Sequence, residues 1–282
     1  MPCMEKAPIG VFDSGVGGLT VLRELRLRLP REDFLYLADQ GHVPYGSRPM
    51  DEVRRFGFGI ADFLLARGAK LIVVACNTIS AAALQPLREA HPDIPFVGME
   101  PAIKPAAEES HSGVIGVIAT EDTFRGELFA NVLSRYGRGV NVIALTMPGL
   151  VERIEAGQTD GPELEALLRG RLQPLLDAGI DELVLGCTHY PFVLRALQEV
   201  VGPKVRIIDP SPAVARQTEQ ILTERKLPSG GGEGAAAAFT SGDPDAFRRF
   251  LRRAFGEEIP VRGVEWAGGG EDLKLMETQS QR

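Results

Sequence analysis

The sequence predicts an α/β protein built from two pseudo-symmetric domains, each a mainly parallel sheet flanked by helices. Three observations predict it. Short, continuously apolar runs alternate with longer stretches whose apolar residues recur at helical spacing, as expected of buried parallel strands under crossover helices. The second half echoes the first: Cys76 follows the strand-ending Asp13 by 63 residues, and Cys187 follows the strand-ending Thr120 by 67. The length, 282 residues with 44% hydrophobic and 24% charged, suits one or two globular domains.

The elements are justified in chain order. Strands are expected at 8–13 (PIGVFD), 33–39 (DFLYLAD), 70–76 (KLIVVAC) and 94–99 (IPFVGM), then at 113–120, 140–145, 182–187 and 205–209. Between them, LTVLRELRLRL (19–29) and VRRFGFGIADFLLARG (53–68) carry amphipathic spacing. PSGGGEGAAAAF (228–239) reads as a flexible surface loop. DPDAFRRFLRRAFG (243–256) reads as a helix capped by Asp243, with Pro244 in its first turn, packing back on the first domain. The expected organisation is residues 1–99 plus about 210–270 as the first domain and 100–209 as the second, with 271–282 a frayed tail.

Composition narrows the function. No run approaches the length of a membrane helix, and the first residues lack a signal-peptide core, so the expected location is the cytoplasm. The three cysteines, Cys3, Cys76 and Cys187, are odd in number and lack CxxC spacing, which argues against a disulfide framework. Cys3 precedes the first strand and is expected to be dispensable. A net charge of −7 argues against nucleic acid and leaves any anionic substrate to be held locally, by N–H groups and helix ends.

Four motifs carry chemistry, all at carboxyl ends of expected strands, where open α/β sheets bind ligands. DSGVGG (13–18) lacks the GK[ST] of a phosphate loop and a full GxGxxG. It is either a tight turn whose glycines allow close packing, or a helix start that holds a carboxylate through its N–H groups, with Asp13 and Ser14 adding contacts. HVPYGSRP (42–49) is a rigid, shaped loop offering Pro44, Tyr45, Gly46 and Ser47. ACNT and GCTHYP each place a thiol where a strand meets a helix start, a position that favours thiolate. Asn77, Thr78 and Thr188 can cap those helices or hold a ligand, and His189 can serve Cys187 as a proton partner.

FDSGVGGLTV, VPYGSRP, ACNT and GCTHYP, in that order, resemble the glutamate racemases of the aspartate/glutamate racemase superfamily, cofactor-independent enzymes of bacterial cell-wall synthesis. The resemblance covers about residues 8 to 266, and GCTHYP is the form that separates glutamate racemases from aspartate racemases. It implies two α/β domains with the active site between them, and Cys76 and Cys187 on opposite sides of glutamate. Cys76 would face the α-hydrogen of D-glutamate and Cys187 that of L-glutamate. His189, Asp13 and Glu155 are implied to assist catalysis. Asp13, Ser14, the 44–47 segment, Asn77 and Thr78 would bind substrate from the first domain; Thr120, Thr188 and His189 would do so from the second. Glu155 lies in LVERIEAG, where Glu152 replaces the family's usual proline.

The expected activity is therefore interconversion of L- and D-glutamate by two thiols, supplying D-glutamate for peptidoglycan, with no cofactor and no metal. The family contains dimers, so the resemblance admits a homodimer. Two other readings stay open: a thiol-pair isomerase acting on another diacid, and a protein that binds a dicarboxylate without turnover. A redox protein would want CxxC, a pyridoxal enzyme a lysine in one of these loops, and a metal site a second ligand pair beside Cys187 and His189; the sequence offers none of these.

Overall fold

The computed structural model describes residues 7–227, 232–269 and 273–278. Cys3 and residues 228–231 lie outside them. The chain divides into two compact units, Met1–Met99 with Ser211–Arg282, and Glu100–Pro210. No helix among the described residues is long and apolar enough to cross a membrane.

The first unit is built on β1 (Ile9–Asp13), β2 (Phe34–Ala38), β3 (Leu71–Val74) and β4 (Phe96–Gly98). They are joined by the helices α1 (Leu19–Arg28), α2 (Met50–Leu65) and α3 (Asn77–Ala90). Three later strands, β9 (Ala236–Thr240), β10 (Val261–Ala267) and β11 (Lys274–Glu277), extend the sheet to the order β11-β10-β9-β2-β1-β3-β4. Every pairing is parallel except β10 with β11. α2 shows why these helices form. Val53, Phe56, Gly57, Ile60, Ala61 and Leu64 make one buried stripe at helical spacing, and Asp51 and Glu52 occupy the first turn, where the helix dipole favours acids.

The second unit holds β5 (Val114–Ala119), β6 (Asn141–Thr146), β7 (Glu182–Gly186) and β8 (Arg206–Ile208) in the order β6-β5-β7-β8, all parallel. Its helices are α4 (Ile103–Glu109), α5 (Glu121–Arg125), α6 (Glu127–Tyr136), α7 (Leu150–Glu155), α8 (Pro162–Asp177) and α9 (Leu194–Val201), and α10 (Ser211–Glu224) belongs to the first unit. Its core packs Ile115, Val117, Phe129 and Val184. The order repeats β2-β1-β3-β4 of the first unit, strand for strand. Asp13 and Thr120 therefore stand at equivalent strand ends, and so do Cys76 and Cys187.

All eight expected strands form, within two residues at each end. Two expectations fail. The glycine- and alanine-rich stretch is not all loop: Ala236–Thr240 is the fully buried strand β9, paired on both sides. The tail is not frayed at Lys274–Glu277, which pairs with β10, buries Leu275 and is tied down where Glu277 meets Arg67 (2.8 Å) and Arg262 (3.0 Å). α11 (Pro244–Phe255) forms with Asp243 as its cap, accepting from the Asp245 N–H at 2.8 Å.

At the opposite end of the first sheet, Lys70 Nζ lies 2.6 Å from Glu32 Oε2, with the two side chains only 6% and 4% exposed. Removing one partner of a buried pair leaves an uncompensated charge, at a cost of about 3–5 kcal/mol. Lys70→Ala is expected to destabilise this unit by about 3 kcal/mol, read as a lower urea midpoint. An unchanged midpoint would show that the pair contributes nothing to stability.

Candidate active site

In the first unit, β3 ends at Val74 and α3 begins at Asn77, leaving Cys76 as the N-cap in an extended conformation. Its carbonyl accepts the first helical bond from the Ser80 N–H at 2.8 Å. Its thiol is buried and lies 3.9 Å from Ser14 Oγ, toward which the S–H points. Ser14 Oγ in turn lies 3.5 Å from Asp13 Oδ1. Thiol, hydroxyl and buried carboxylate thus form a short polar file where β1 and β3 end side by side. The placement arises from adjacent parallel strands, whose carboxyl ends fall together.

The glycine turn is held from within at its helix end. The Gly18 N–H donates to Asp13 Oδ2 at 2.6 Å, and the Leu19 and Thr20 N–H groups bond to Val16 and Gly17 carbonyls. These three donors fix the turn and Asp13. A Cβ on Gly18 would stand 2.7 Å from Asp13 Cβ and 2.9 Å from the Tyr36 hydroxyl, so glycine is there for close approach.

Asn77 is buried with its amide unpaired. Its side chain is 4% exposed, yet neither amide atom has a hydrogen-bond partner among the described residues. It does not cap α3, whose cap is Cys76 without any side-chain bond. Each buried unpaired polar group costs about 1–3 kcal/mol, so this amide, next to Cys76 in the chain, lowers the stability of the unit. Asn77→Ala is expected to leave the unfolding midpoint unchanged or raised while increasing KM for the substrate about tenfold or more. A lowered midpoint with unchanged KM would make Asn77 a packing residue.

In the second unit, Cys187 follows β7, and its carbonyl accepts from the Tyr190 N–H at 3.2 Å. Pro191 has no N–H to make the next, α-type bond to that carbonyl. The result is a tight turn through Tyr190–Val193 before helix α9 (Leu194–Val201). The sequence predicts a helix N-terminus directly at Cys187; the proline delays it. What accompanies this thiol is His189, whose Nδ1 lies 3.7 Å from Cys187 Sγ and whose Nε2 lies 2.6 Å from Glu155 Oε1. Glu155 ends α7 (Leu150–Glu155), which Leu150, Val151 and Ile154 anchor in the core. Gly157, at φ +76°, turns the chain immediately after it. Burial alone would lower the His189 pKa, but hydrogen bonds and charge from Cys187 and Glu155 raise it well above 6.5, a shift that favours the protonated ring.

The remaining expected residues fall as follows. Thr78 and Thr188 are buried beside the two cysteines. Thr120 caps the short helix α5 (Glu121–Arg125), with its hydroxyl 2.9 Å from that of Thr123. In the 42–49 loop Ser47 is exposed, Pro44 and Gly46 are half-buried, and Tyr45 turns inward, its hydroxyl donating to Asp39. The Tyr45 hydroxyl is thereby committed to Asp39. Thr123 and Asp39 escaped the sequence reading. Thr123 could have been found as the hydroxyl three residues beyond a capping threonine, whereas Asp39 carries no local signal.

The sequence profile of the Asp/Glu/hydantoin racemase family matches residues 19–218. The chain is 53% identical over 262 residues to a glutamate racemase of Roseiflexus sp. (strain RS-1), covering 92% of this chain and 95% of that one. The chain belongs to the Asp/Glu/hydantoin racemase family. Solved racemase structures agree with this membership. A Bacillus anthracis glutamate racemase matches with a TM-score of 0.84 at 34% identity, over 92% of this chain and 97% of its own. A Francisella tularensis glutamate racemase in complex with D-glutamate matches with a TM-score of 0.81 at 30% identity, over 93% and 98%. In this chain two polar files, Cys76–Ser14–Asp13 and Cys187–His189–Glu155, each join a buried thiol to a carboxylate through one intervening side chain.

Proposed function

We propose that this protein is a glutamate racemase that interconverts L- and D-glutamate with two thiols and supplies D-glutamate for peptidoglycan in the cytoplasm. The observation that carries this reading is the pair of buried cysteines at equivalent strand ends of two sheets with the same strand order, each beside a proton-handling partner. The glutamate racemases among its relatives supply the substrate.

Inverting an α-carbon needs a base on one face and an acid on the other. For L-glutamate, Cys187 as thiolate takes the α-proton while the His189 imidazolium stands beside it. Cys76, as thiol, delivers its own proton to the opposite face, giving D-glutamate. One turnover leaves Cys187 protonated and Cys76 ionised. Before the next L-glutamate, Cys187 returns its proton to solvent and Cys76 takes one up again beside Ser14 and Asp13; D-glutamate reacts by the reverse sequence. The carbanion in between is stabilised by preorganised donors, each worth about 3 kcal/mol, and Asn77 is one such donor.

Circular dichroism of L- or D-glutamate incubated with the enzyme is the direct test. Either enantiomer should decay to zero ellipticity. A signal that stays constant while glutamate binds would favour a non-catalytic dicarboxylate binder, and turnover of a different diacid alone would change the substrate. Racemisation is also expected to survive exhaustive dialysis against chelator and a carbonyl-trapping reagent, because the proton transfers are assigned to side chains. Loss restored by a metal ion or pyridoxal phosphate would contradict the cofactor-independent reading.

A further inference from the structure

We infer that Asp39 is a positioning residue for this reaction, its buried carboxylate fixing Tyr45 and the 42–49 loop and joining that loop to the chain after β9 and to β10. The inference rests on the racemase reading above.

Asp39 follows β2 directly and is fully buried. Its N–H donates to the Asp13 carbonyl at 3.1 Å, tying it to the strand end that carries the Cys76 file. Its carboxylate gathers four side-chain donors from separate stretches of chain. Two come from the loop: the Tyr45 hydroxyl, and His42 Nδ1 at 3.1 and 3.0 Å from the two oxygens. Ser241, just past β9, donates its hydroxyl at 2.5 Å, and Trp266 of β10 donates its indole N–H at 2.8 Å. Facing a carboxylate, which can only accept, His42 must present an N–H at Nδ1.

This arrangement demands an ionised acid. Two carboxylate oxygens offer about four lone-pair sites, matching four donors. An asparagine would turn an NH2 group toward two or more of them. Burial acts to raise the Asp39 pKa, and the bonds from His42, Ser241, Trp266 and Tyr45 overcome it, holding the group below its ordinary 3.8. The rings around it are packed to match. His42 stacks on Phe56 at 4.3 Å, Tyr45 and Trp266 lie 5.5 and 5.2 Å from the same ring, and Gly59 leaves room for the indole. Such investment in a non-reacting carboxylate has a use at the site. With its hydroxyl tethered, Tyr45 cannot swing, so the backbone of Tyr45 and Gly46 is fixed where the loop approaches substrate. Burial, the Asp39 charge and hydrogen bond, Cys76 and Asp13 all raise the Tyr45 pKa well above 10, keeping the phenol a donor.

The test compares Asp39→Asn, Tyr45→Phe and the double variant for KM and kcat with glutamate. Asp39→Asn should raise KM about tenfold or more, the scale of a lost hydrogen bond to a charged group, with a smaller change in kcat. Tyr45→Phe should give part of that effect, and the double variant should be no worse than Asp39→Asn alone, because both act through one tether. An unchanged KM in folded Asp39→Asn, or effects that simply multiply, would overturn the inference. Should Asp39→Asn fail to fold, Ser241→Ala and Trp266→Phe each remove one donor far along the chain from the loop. Each should still raise KM measurably, and wild-type KM in both would overturn the inference. Trp266 is the sole tryptophan of the chain, so its fluorescence should change on glutamate addition in the wild type and lose that change in Tyr45→Phe. A wild type inert toward glutamate would defeat the racemase reading; an active wild type with KM-neutral variants would defeat only the role of Asp39.

Discussion

Cys76→Ala and Cys187→Ala should each lose racemisation by about 10³-fold or more, roughly 4 kcal/mol of transition-state stabilisation. Each removes the sole proton donor or acceptor assigned to one face of the α-carbon. Both thiols are buried, at 5% and 7% exposure, so water does not readily replace them. The loss in kcat/KM must be equal in the two directions. Enantiomers have the same free energy in water, so the ratio of forward to reverse kcat/KM stays at unity whatever is mutated. The asymmetry between the variants appears instead in exchange without inversion. In heavy water, Cys187→Ala keeps the base assigned to D-glutamate and should exchange that α-hydrogen faster than that of L-glutamate. Cys76→Ala should show the opposite preference. Exchange of both enantiomers at similar rates in one variant would mean a single base serving both faces.

The second large effect concerns His189. His189→Asn should lower kcat/KM by about 10²-fold, the lower range for loss of a positioned acid–base group. It leaves Cys187 without the imidazolium 3.7 Å away and Glu155 without its partner. Glu155→Gln keeps an acceptor for Nε2 but removes the charge, so its loss should be smaller. The pH dependence has a definite sign. The His189 pKa is raised on folding, so the stabilisation from its partners is fully present below about pH 6.5, the unperturbed value, and is lost as pH rises through the folded value. Glu155→Gln removes one of the interactions that raise it. The alkaline limb of the wild-type activity profile should therefore move to lower pH in this variant. An alkaline limb that stays in place would show that Glu155 does not act through His189.

Much of this was legible in the sequence, for identifiable reasons. The eight strands read correctly are apolar runs bounded by turn residues; β1, β2, β3, β5 and β7 are buried almost throughout, whereas β6 and β8 are partly exposed. β9 was not legible, because AAAAF has low strand propensity and follows a run of glycines; its place comes from its neighbours β2 and β10 on either side. β11 was hidden in the same way, held by an ion pair between Glu277 and the distant Arg67. Cys76 and Cys187 could be paired because strand-end positions repeat along the chain. Glu155 and His189 are 34 positions apart, and only the motif resemblance connected them before the fold did. Asp39 is the clearest case of the limit. Ser241 and Trp266 lie 202 and 227 positions away, and no local pattern announces a hub assembled over that distance.

The assignment of one thiol to each face is tested most directly by following L-glutamate in heavy water with the wild-type enzyme, at conversions low enough that product does not return. Two bases exchange their protons with solvent separately, so the D-glutamate formed should carry deuterium at the α-carbon while recovered L-glutamate remains protiated, and the experiment started from D-glutamate should mirror it. Deuterium entering recovered L-glutamate as fast as D-glutamate appears, or D-glutamate that retains the original protium, would mean one group serving both faces and would contradict the two-thiol account.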